Sequence, residues 1–206
     1  MRIDSDAVMW SAPERERAGR PLLVLLHGFG ATEGDMFAFS RHLPLAPVIA
    51  SVRAPLSAGS GYTWFPSDDA SSEERLDSIA DVTAALLDWV DSTTSTGVGI
   101  IGLSQGGTMA LEMLRTSPDR FACVVNLSGF VLPSDNAGDA LLAERRPPVF
   151  WGRGTSDETI PTSLIDHTGD WLQRHSALTG RIYEGLGHAV SDAELGEVSA
   201  FIREHL

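Results

Sequence analysis

A serine lies at the centre of a glycine-rich turn in the middle of the chain. Residues 102–106 read Gly-Leu-Ser-Gln-Gly, with Ser104 third, and they follow the apolar run 98–101. A G-x-S-x-G sequence directly after a buried strand predicts a sharp turn into a helix, on which the serine hydroxyl is exposed. The two glycines leave room for strand and helix to approach each other around the serine. A rigidly held, outward-pointing hydroxyl is a candidate nucleophile for acyl transfer.

An aspartate and a histidine further along the chain could act together with this serine. Asp157 lies in a short loop between the apolar segment 148–151 and a predicted helix, where it could orient an imidazole and stabilise its charged form. His188 lies in the glycine-flanked loop 185–189, which suits a general base. Simpler alternatives stay open, because many aspartates in such loops only cap a turn or a helix and many loop histidines are only surface residues.

Two backbone N–H groups could stabilise the negative charge that develops on a carbonyl oxygen under attack. Residues 27–30 read His-Gly-Phe-Gly and follow the apolar run 22–26. This glycine-rich turn could aim the N–H of Phe29 into the site, and the N–H of Gln105 is the second candidate donor. The same turn could equally be a plain loop, and we expect His27 within it to have a structural role.

Apolar runs and segments of helical period alternate along the whole chain. This alternation predicts an α/β fold with a mainly parallel sheet and helices on both faces, organised as a single domain over residues 1–206. Ser71 and Glu74 form a capping-box sequence that opens one of the helices. The predicted strands are 22–26, 48–52, 98–103, 122–127, 148–151 and 181–183, with an edge strand at 8–11, and the predicted helices are 71–90, 105–115, 161–175 and 192–205.

The candidate residues share one position relative to these elements, since each follows a predicted strand. Ligand sites of parallel sheets form at the carboxyl ends of the strands. Residues that are far apart in sequence can therefore meet at that edge. The chain order Ser104, Asp157, His188 is also the order of the catalytic triad in α/β-hydrolases. We predict a nucleophile, an acid and a base at this edge of the sheet.

The composition indicates a globular protein with an excess of acidic groups. The formal net charge is −13, and all 15 basic residues are arginine. This charge argues against nucleic acid or an anionic membrane as a main partner, because either would be repelled at long range. The one cysteine excludes an intrachain disulfide, and the acidic amino terminus lacks the pattern of a signal peptide. We expect a cytoplasmic protein without stable membrane association, and the sequence does not indicate its oligomeric state.

At these motifs the sequence resembles the phospholipase/carboxylesterase family of α/β-hydrolases, which includes the acyl-protein thioesterases. The resemblance implies a single-domain α/β-hydrolase fold in which Ser104 is the nucleophile, His188 the base and Asp157 the orienting acid. It also implies that Phe29 and Gln105 supply the oxyanion N–H groups. No cofactor is implied, and the spacing of histidines and acids indicates no metal site. The segments that carry the resemblance are 26–30, 53–55 through 64–65, 102–107, 155–161 and 183–188, while Pro66 stands where family members often have aspartate.

The length of the segment 128–147 bears on the choice of substrate. This segment is too short for a separate lid domain, so we expect an open site. An open site predicts a serine carboxylesterase for small, short- to medium-chain esters. An acyl-protein thioesterase or lysophospholipase that acts on long acyl chains is the alternative, and a catalytically silent fold used for binding is a third interpretation. Apolar side chains that could line the acyl pocket, or could instead simply pack the core, are Leu56, Trp64, Phe65, Phe130 and Leu132.

Overall fold

The computed structural model of the chain describes residues 1–66 and 71–206. Within these residues it has nine β-strands and six α-helices. The strands are β1 (Met9–Trp10), β2 (Leu22–Leu26), β3 (Val48–Val52), β4 (Leu56–Ala58), β5 (Gly61–Thr63), β6 (Val98–Leu103), β7 (Cys123–Leu127), β8 (Pro148–Gly154) and β9 (Ala177–Tyr183). The helices are α1 (Glu33–Phe37), α2 (Ser72–Asp91), α3 (Gln105–Thr116), α4 (Asp139–Arg145), α5 (Thr162–His175) and α6 (Asp192–His205).

Seven strands form one sheet in the order β1-β3-β2-β6-β7-β8-β9. Strand β1 pairs with β3 in antiparallel orientation, and the other neighbouring strands are parallel. Strands β4 and β5 form a separate antiparallel hairpin. Every residue of β2, β3 and β7 is buried, as expected of strands that are covered on both faces. The predicted α/β fold with a mainly parallel sheet is therefore confirmed.

Two apolar cores lie on opposite faces of the large sheet. Side chains alternate along a strand, so Val24 and Leu26 pack in the first core while Leu23 and Leu25 pack in the second. Helices cover both faces, as predicted from the sequence. The side chains that these helices add include Leu86 of α2, Met109 of α3 and Leu172 of α5 in the first core, and Met36 of α1 and Phe201 of α6 in the second.

The prediction of secondary structure is correct where an apolar run or a cap marks the element. Strands β2, β3 and β6 span the predicted residues. The Ser71 hydroxyl accepts the N–H of Glu74 at 3.2 Å, and the Glu74 carboxylate accepts the N–H of Ser71 at 2.9 Å, so the predicted capping box is confirmed. Along the described parts of the chain, no helix combines the length and the apolar character needed to cross a lipid bilayer.

Other elements differ from the prediction. The hairpin β4–β5 and the helices α1 and α4 were not predicted, because each is too short to show a periodic pattern. Strand β8 continues to Gly154 and β9 begins already at Ala177. The first half of β9 carries no apolar run because β9 is an edge strand, held by hydrogen bonds to β8 alone and exposed at several positions.

A carboxylic acid is buried at the start of α6. The Glu194 side chain is 1% exposed, and neither of its carboxyl oxygens has a hydrogen-bond partner within the described residues. It packs against Gly152 of β8, where an added Cβ would come within 2.0 Å of Oε1. Burial raises the pKa of Glu194 to about 7, the backbone N–H of Ser191 opposes this rise, and the negative charge of Glu197 adds to it. Burying this group without a partner opposes its ionisation.

Replacing Glu194 with glutamine is expected to stabilise the protein at alkaline pH and to leave it unchanged near pH 5. The ordinary pKa of a glutamate is 4.5, so between this value and about 7 the folded wild type keeps a proton that the unfolded chain has lost. The wild-type free energy of unfolding therefore falls as the pH rises through this interval, by about 3 kcal/mol. Urea unfolding of both proteins at about pH 5 and about pH 8 measures the effect.

The exposed Glu204 of the same helix supplies the control for this experiment. Glu204→Gln removes an equal charge from the surface of α6 and is expected to leave the pH profile of stability close to that of wild type. Parallel profiles for wild type and Glu194→Gln would contradict the prediction.

Candidate active site

Ser104 joins β6 to α3 in a backbone conformation that few residues other than glycine adopt. Its φ is 54° and its ψ is −117°. The Ser104 N–H donates to the Leu127 carbonyl at 2.7 Å, which ties the turn to the neighbouring strand β7. A Cβ at Gly102 would lie 2.1 Å from the Gly106 carbonyl oxygen, so strand and helix cross too closely for any side chain there. The predicted sharp turn from strand to helix is present at this serine.

His188 lies between Ser104 and Asp157 and contacts both. Its Nε2 is 2.8 Å from Ser104 Oγ, and its Nδ1 is 2.7 Å from Asp157 Oδ2. A neutral imidazole that donates from Nδ1 to the carboxylate leaves Nε2 free to accept the serine hydroxyl proton. The Asp157 side chain is only 2% exposed, whereas that of His188 is 23% exposed. The structure thus brings together three residues from the ends of β6, β8 and β9.

The Asp157 carboxylate is held by its own loop as well as by the histidine. Its Oδ1 accepts the N–H of Thr159 at 2.9 Å and lies 3.4 Å from the N–H of Ile160. Burial acts to raise the pKa of Asp157, but the hydrogen bonds from His188 and Thr159 outweigh it, and the pKa lies below the ordinary value. Asp157 therefore caps a turn, which the sequence left open, and presents an ionised oxygen to His188 at the same time.

The two candidate oxyanion donors are carried by the residue after the serine and by a loop that passes next to it. Within residues 1–66 and 71–206, neither the N–H of Phe29 nor that of Gln105 has a hydrogen-bond partner. Gln105 is the first residue of α3, where N–H groups have no partner inside the helix and the helix dipole is positive. A Cβ at Gly28 would lie 3.5 Å from the Ser104 Cβ, so the loop that carries Phe29 passes next to the serine.

His27 has a structural role, as expected. It is 1% exposed, and its Nε2 accepts the N–H of Ala54 at 3.1 Å. Its Nδ1 must then carry the proton, which it donates to the Gly28 carbonyl at 2.8 Å. Burial lowers the pKa of His27, so the ring stays neutral and fixes the turn in which it lies.

Three of the five predicted pocket residues are buried in the apolar core. Trp64 is fully buried, Phe65 is 6% exposed and Leu132 is 7% exposed, and all three belong to the first core. The Trp64 indole donates to a backbone carbonyl at 2.7 Å, so both its ring and its polar atom are used inside the protein. Their burial favours the alternative that the sequence left open, that these three side chains pack the core, and a contact between any of them and a substrate stays a prediction.

Partly exposed side chains near the site remain candidates for contact with a substrate. Leu56 and Phe130 are both of intermediate exposure. The Phe29 side chain is 54% exposed, although the sequence assigned a role only to its backbone. A large apolar side chain left in solvent, on the loop that passes next to the serine, is suited to contact an apolar part of a ligand.

Asn126 is a further residue of the site that the sequence analysis did not identify. Its side chain accepts the N–H of Gly129 at 2.9 Å and donates to the carbonyl of the same residue at 3.1 Å. A Cβ at Gly129 would lie 2.7 Å from the Ser104 carbonyl oxygen, so this closed turn packs directly on the serine turn. The feature of the sequence that could have identified Asn126 is its position as a polar residue inside the otherwise apolar strand Cys123–Leu127.

Cys123 of the same strand does not offer a second nucleophile. The side chain is 1% exposed, and burial raises the pKa of its thiol to about 12. The reactive thiolate is therefore absent at neutral pH, and Cys123 acts as a small buried apolar residue.

A parallel sheet whose central strand turns sharply at a serine into the next helix defines the class of α/β-hydrolases. Within that class, the chain belongs to the phospholipase/carboxylesterase family, whose family model matches residues 12–206. The resemblance noted from the sequence is confirmed.

Individual relatives are similar to this chain at low identity. A probable carboxylesterase from Oryza sativa subsp. japonica is 24% identical over 156 residues, which cover 74% of this chain but only 55% of the rice protein. Acyl-protein thioesterase 1 from Kluyveromyces lactis is 23% identical over 216 residues, which cover 93% of this chain and 95% of the yeast protein. The crystal structure of the Bacillus cereus carboxylesterase matches with a TM-score of 0.80 at 18% identity, over 97% of this chain and 94% of the other.

Proposed function

We propose that the protein is a serine carboxylesterase that hydrolyses small carboxylic esters of short to medium chain length. The reaction proceeds through an acyl-enzyme on Ser104, with His188 as the base and Asp157 as the orienting acid. The observation that carries the proposal is the pair of hydrogen bonds, 2.8 Å and 2.7 Å long, that join these three side chains. Membership of the family and a relative named as a probable carboxylesterase support ester hydrolysis as the reaction.

In the first half of the reaction, His188 Nε2 takes the hydroxyl proton of Ser104 as Oγ attacks the carbonyl carbon of the ester. The carbonyl π electrons move onto oxygen, and the N–H groups of Phe29 and Gln105 bind the oxyanion that forms. Asp157 stabilises the imidazolium ion through its hydrogen bond to Nδ1. When the intermediate collapses, the bond from carbon to the alcohol oxygen breaks and His188 gives its proton to the leaving alcohol.

In the second half, a water molecule replaces the alcohol. His188 takes a proton from this water as its oxygen attacks the acyl carbon, and the same N–H groups bind the second oxyanion. Collapse breaks the bond to Ser104 Oγ, which regains its proton from His188, and the carboxylic acid is released. The 23% exposure of the His188 side chain is consistent with access for this water.

The preference for small substrates is supported by how the segment between β7 and β8 is held. Arg115 of α3, which is 1% exposed, donates to the Asp139 carboxylate at 2.9 Å and 2.8 Å. It also donates to the Ser134 carbonyl at 2.5 Å. The segment that contains α4 is therefore fixed on α3 and supplies no lid domain over Ser104, which suits small or protruding esters.

A long-chain acyl thioester is the second candidate substrate. The Kluyveromyces lactis relative, whose alignment covers most of both chains, is named acyl-protein thioesterase 1. The exposed Phe29 offers apolar surface for a longer acyl chain beside the serine. The same nucleophile and base would attack an ester or a thioester carbonyl, so the site separates the two candidates only by the acyl chain that it accommodates.

Hydrolysis of p-nitrophenyl esters from acetate to palmitate is expected to show the highest kcat/KM with the short acyl chains. Each methylene that becomes buried contributes about 0.8 kcal/mol, or about a fourfold gain, and an open site buries few of them. Ser104→Ala measured in parallel gives the rate that does not depend on this serine. A kcat/KM that rises steadily towards palmitate and is lost in Ser104→Ala would favour the long-chain candidate instead.

A further inference from the structure

Residues 61–65, hereafter the bridging segment, bind both elements that carry the two backbone N–H groups assigned to the oxyanion by the proposed function. The segment consists of β5 and the two residues that follow it, and it continues directly from the hairpin turn after β4. It makes hydrogen bonds with the helix that starts at Gln105 and with the loop that carries Phe29. Two of its residues, Trp64 and Phe65, are candidate substrate contacts from the sequence, and both are buried.

On the helix side, the contact is the carboxamide of Gln105. Its Oε1 accepts the N–H of Trp64 at 2.8 Å and lies 2.9 Å from the Thr63 hydroxyl. Its Nε2 donates to the carbonyl of Phe65 at 2.8 Å. Gln105 is only 7% exposed, so the side chain of the first residue of α3 is held by buried polar groups of the bridging segment.

On the loop side, the contact is a pair of backbone hydrogen bonds to Tyr62. The N–H of Gly30 donates to the Tyr62 carbonyl at 2.9 Å, and the N–H of Tyr62 donates to the Ala31 carbonyl at 2.9 Å. These bonds fix the chain immediately after Phe29. A Cβ at Gly61 would lie 2.0 Å from the Gly30 carbonyl oxygen, so the two backbones are in direct contact.

The chain immediately before Phe29 is fixed by a second contact of the same segment. The Trp64 indole Nε1 donates to the His27 carbonyl at 2.7 Å, and the two rings lie 5.2 Å apart. His27 and Trp64 are both essentially inaccessible to solvent. Phe29 is therefore bracketed on both sides, while its own N–H stays without a partner within the described residues.

We propose that the bridging segment and the Gln105 carboxamide set the distance between the two oxyanion N–H groups. This inference rests on the proposed function and assigns positioning roles to Trp64 and to the side chain of Gln105. An oxyanion is stabilised only when each donor lies about 2.7–3.1 Å from it, so two donors on separate elements must be held relative to each other. The segment does this by binding both elements through short hydrogen bonds, of which those of Gln105 and of the Trp64 indole are buried.

Gln105→Ala tests the inference, because it keeps the backbone N–H and removes only the carboxamide. We expect kcat to fall about 10- to 100-fold, with KM changed less than about threefold, since the loss concerns the transition state. A trifluoromethyl ketone inhibitor forms an oxyanion on Ser104, and its Ki is expected to rise in proportion to the fall in kcat. An unreactive ether analogue of the same chain length forms no oxyanion, so its Ki is expected to stay constant.

Gly61→Ala approaches the same contact from the loop side. The added Cβ overlaps the Gly30 carbonyl, so the loop must move, and we expect the same pattern of kcat and Ki values. Ser57→Ala is the control in the same hairpin, because Ser57 is exposed and lies opposite Tyr62 in the pairing of β4 with β5. It is expected to match wild type. Rates of wild type and of these three variants are expressed per site titrated with a fluorophosphonate, so unfolded protein does not contribute, whereas rates of Ser104→Ala are expressed per mole of folded protein.

The outcomes separate this inference from the proposed function. If Ser104→Ala is inactive while Gln105→Ala and Gly61→Ala keep the wild-type kcat and ketone affinity, the inference is wrong and the proposed function stands. An equal loss of affinity for the ketone and the ether would also overturn it, because that result indicates general damage to the site. If Ser104→Ala retains wild-type activity, the proposed function fails and the inference fails with it.

Discussion

Replacing Ser104 with alanine is expected to lower kcat for a short-chain ester by about 10⁶-fold. In the proposed mechanism no acyl-enzyme can form without the hydroxyl, and His188 and the proposed oxyanion N–H groups would assist only a direct attack by water. Alanine keeps a Cβ, so the unusual backbone conformation at φ 54° is neither relieved nor made worse. The loss of activity therefore reports the chemistry rather than the folding of the turn.

The measurement is kcat with p-nitrophenyl butyrate for wild type and variant, together with covalent labelling by a fluorophosphonate. Ser156→Ala is the matched control, since Ser156 is exposed and immediately precedes Asp157. We expect the control to retain activity within a few-fold and to label like wild type. A Ser104→Ala protein that hydrolyses the ester within about tenfold of wild type, or that still labels, would show that another residue is the nucleophile.

The meeting of Ser104, His188 and Asp157 could be predicted because of where each lies relative to a strand. In a parallel sheet, the carboxyl ends of all strands reach the same edge, so residues that follow β6, β8 and β9 come together whatever their separation in sequence. The buried strands themselves are recognisable from runs of apolar residues, such as Leu22–Leu26. The catalytic roles of the three residues stay a prediction for the variants to test.

The roles of Trp64 and Gln105 could not be predicted in the same way. An aromatic residue near a site can face the ligand or the core, and the amino-acid sequence around it can be the same in both cases. Trp64 faces the core because β5 pairs with β4 and its backbone reaches the loop that carries Phe29, contacts that arise only in the folded chain. The Gln105 carboxamide likewise finds partners about 40 positions earlier in the chain, with no local pattern that marks them.

Replacing Asp157 with asparagine is expected to lower kcat by about 10⁴-fold, through the proton on the histidine rather than through its position. The N–H groups of Thr159 and Ile160 point at Oδ1, so the amide oxygen of asparagine will occupy that place. Its NH₂ group then faces His188 Nδ1, which must accept and so cannot carry the proton. The neutral ring is left with a proton on Nε2, where it can no longer accept the proton of Ser104.

The effect of moving the His188 proton from Nδ1 to Nε2 can be separated from the effect of losing the Asp157 charge. Glu158→Gln removes the same charge from the adjacent, exposed residue and is expected to leave kcat within a few-fold of wild type. Nitrogen-15 NMR of the His188 imidazole in its neutral form should show the proton on Nδ1 in wild type and on Nε2 in Asp157→Asn. If the variant loses activity while its neutral ring keeps the proton on Nδ1, the lost carboxylate charge accounts for the effect. If kcat stays within about tenfold of wild type, Asp157 only caps its turn, and the orienting acid must be sought elsewhere.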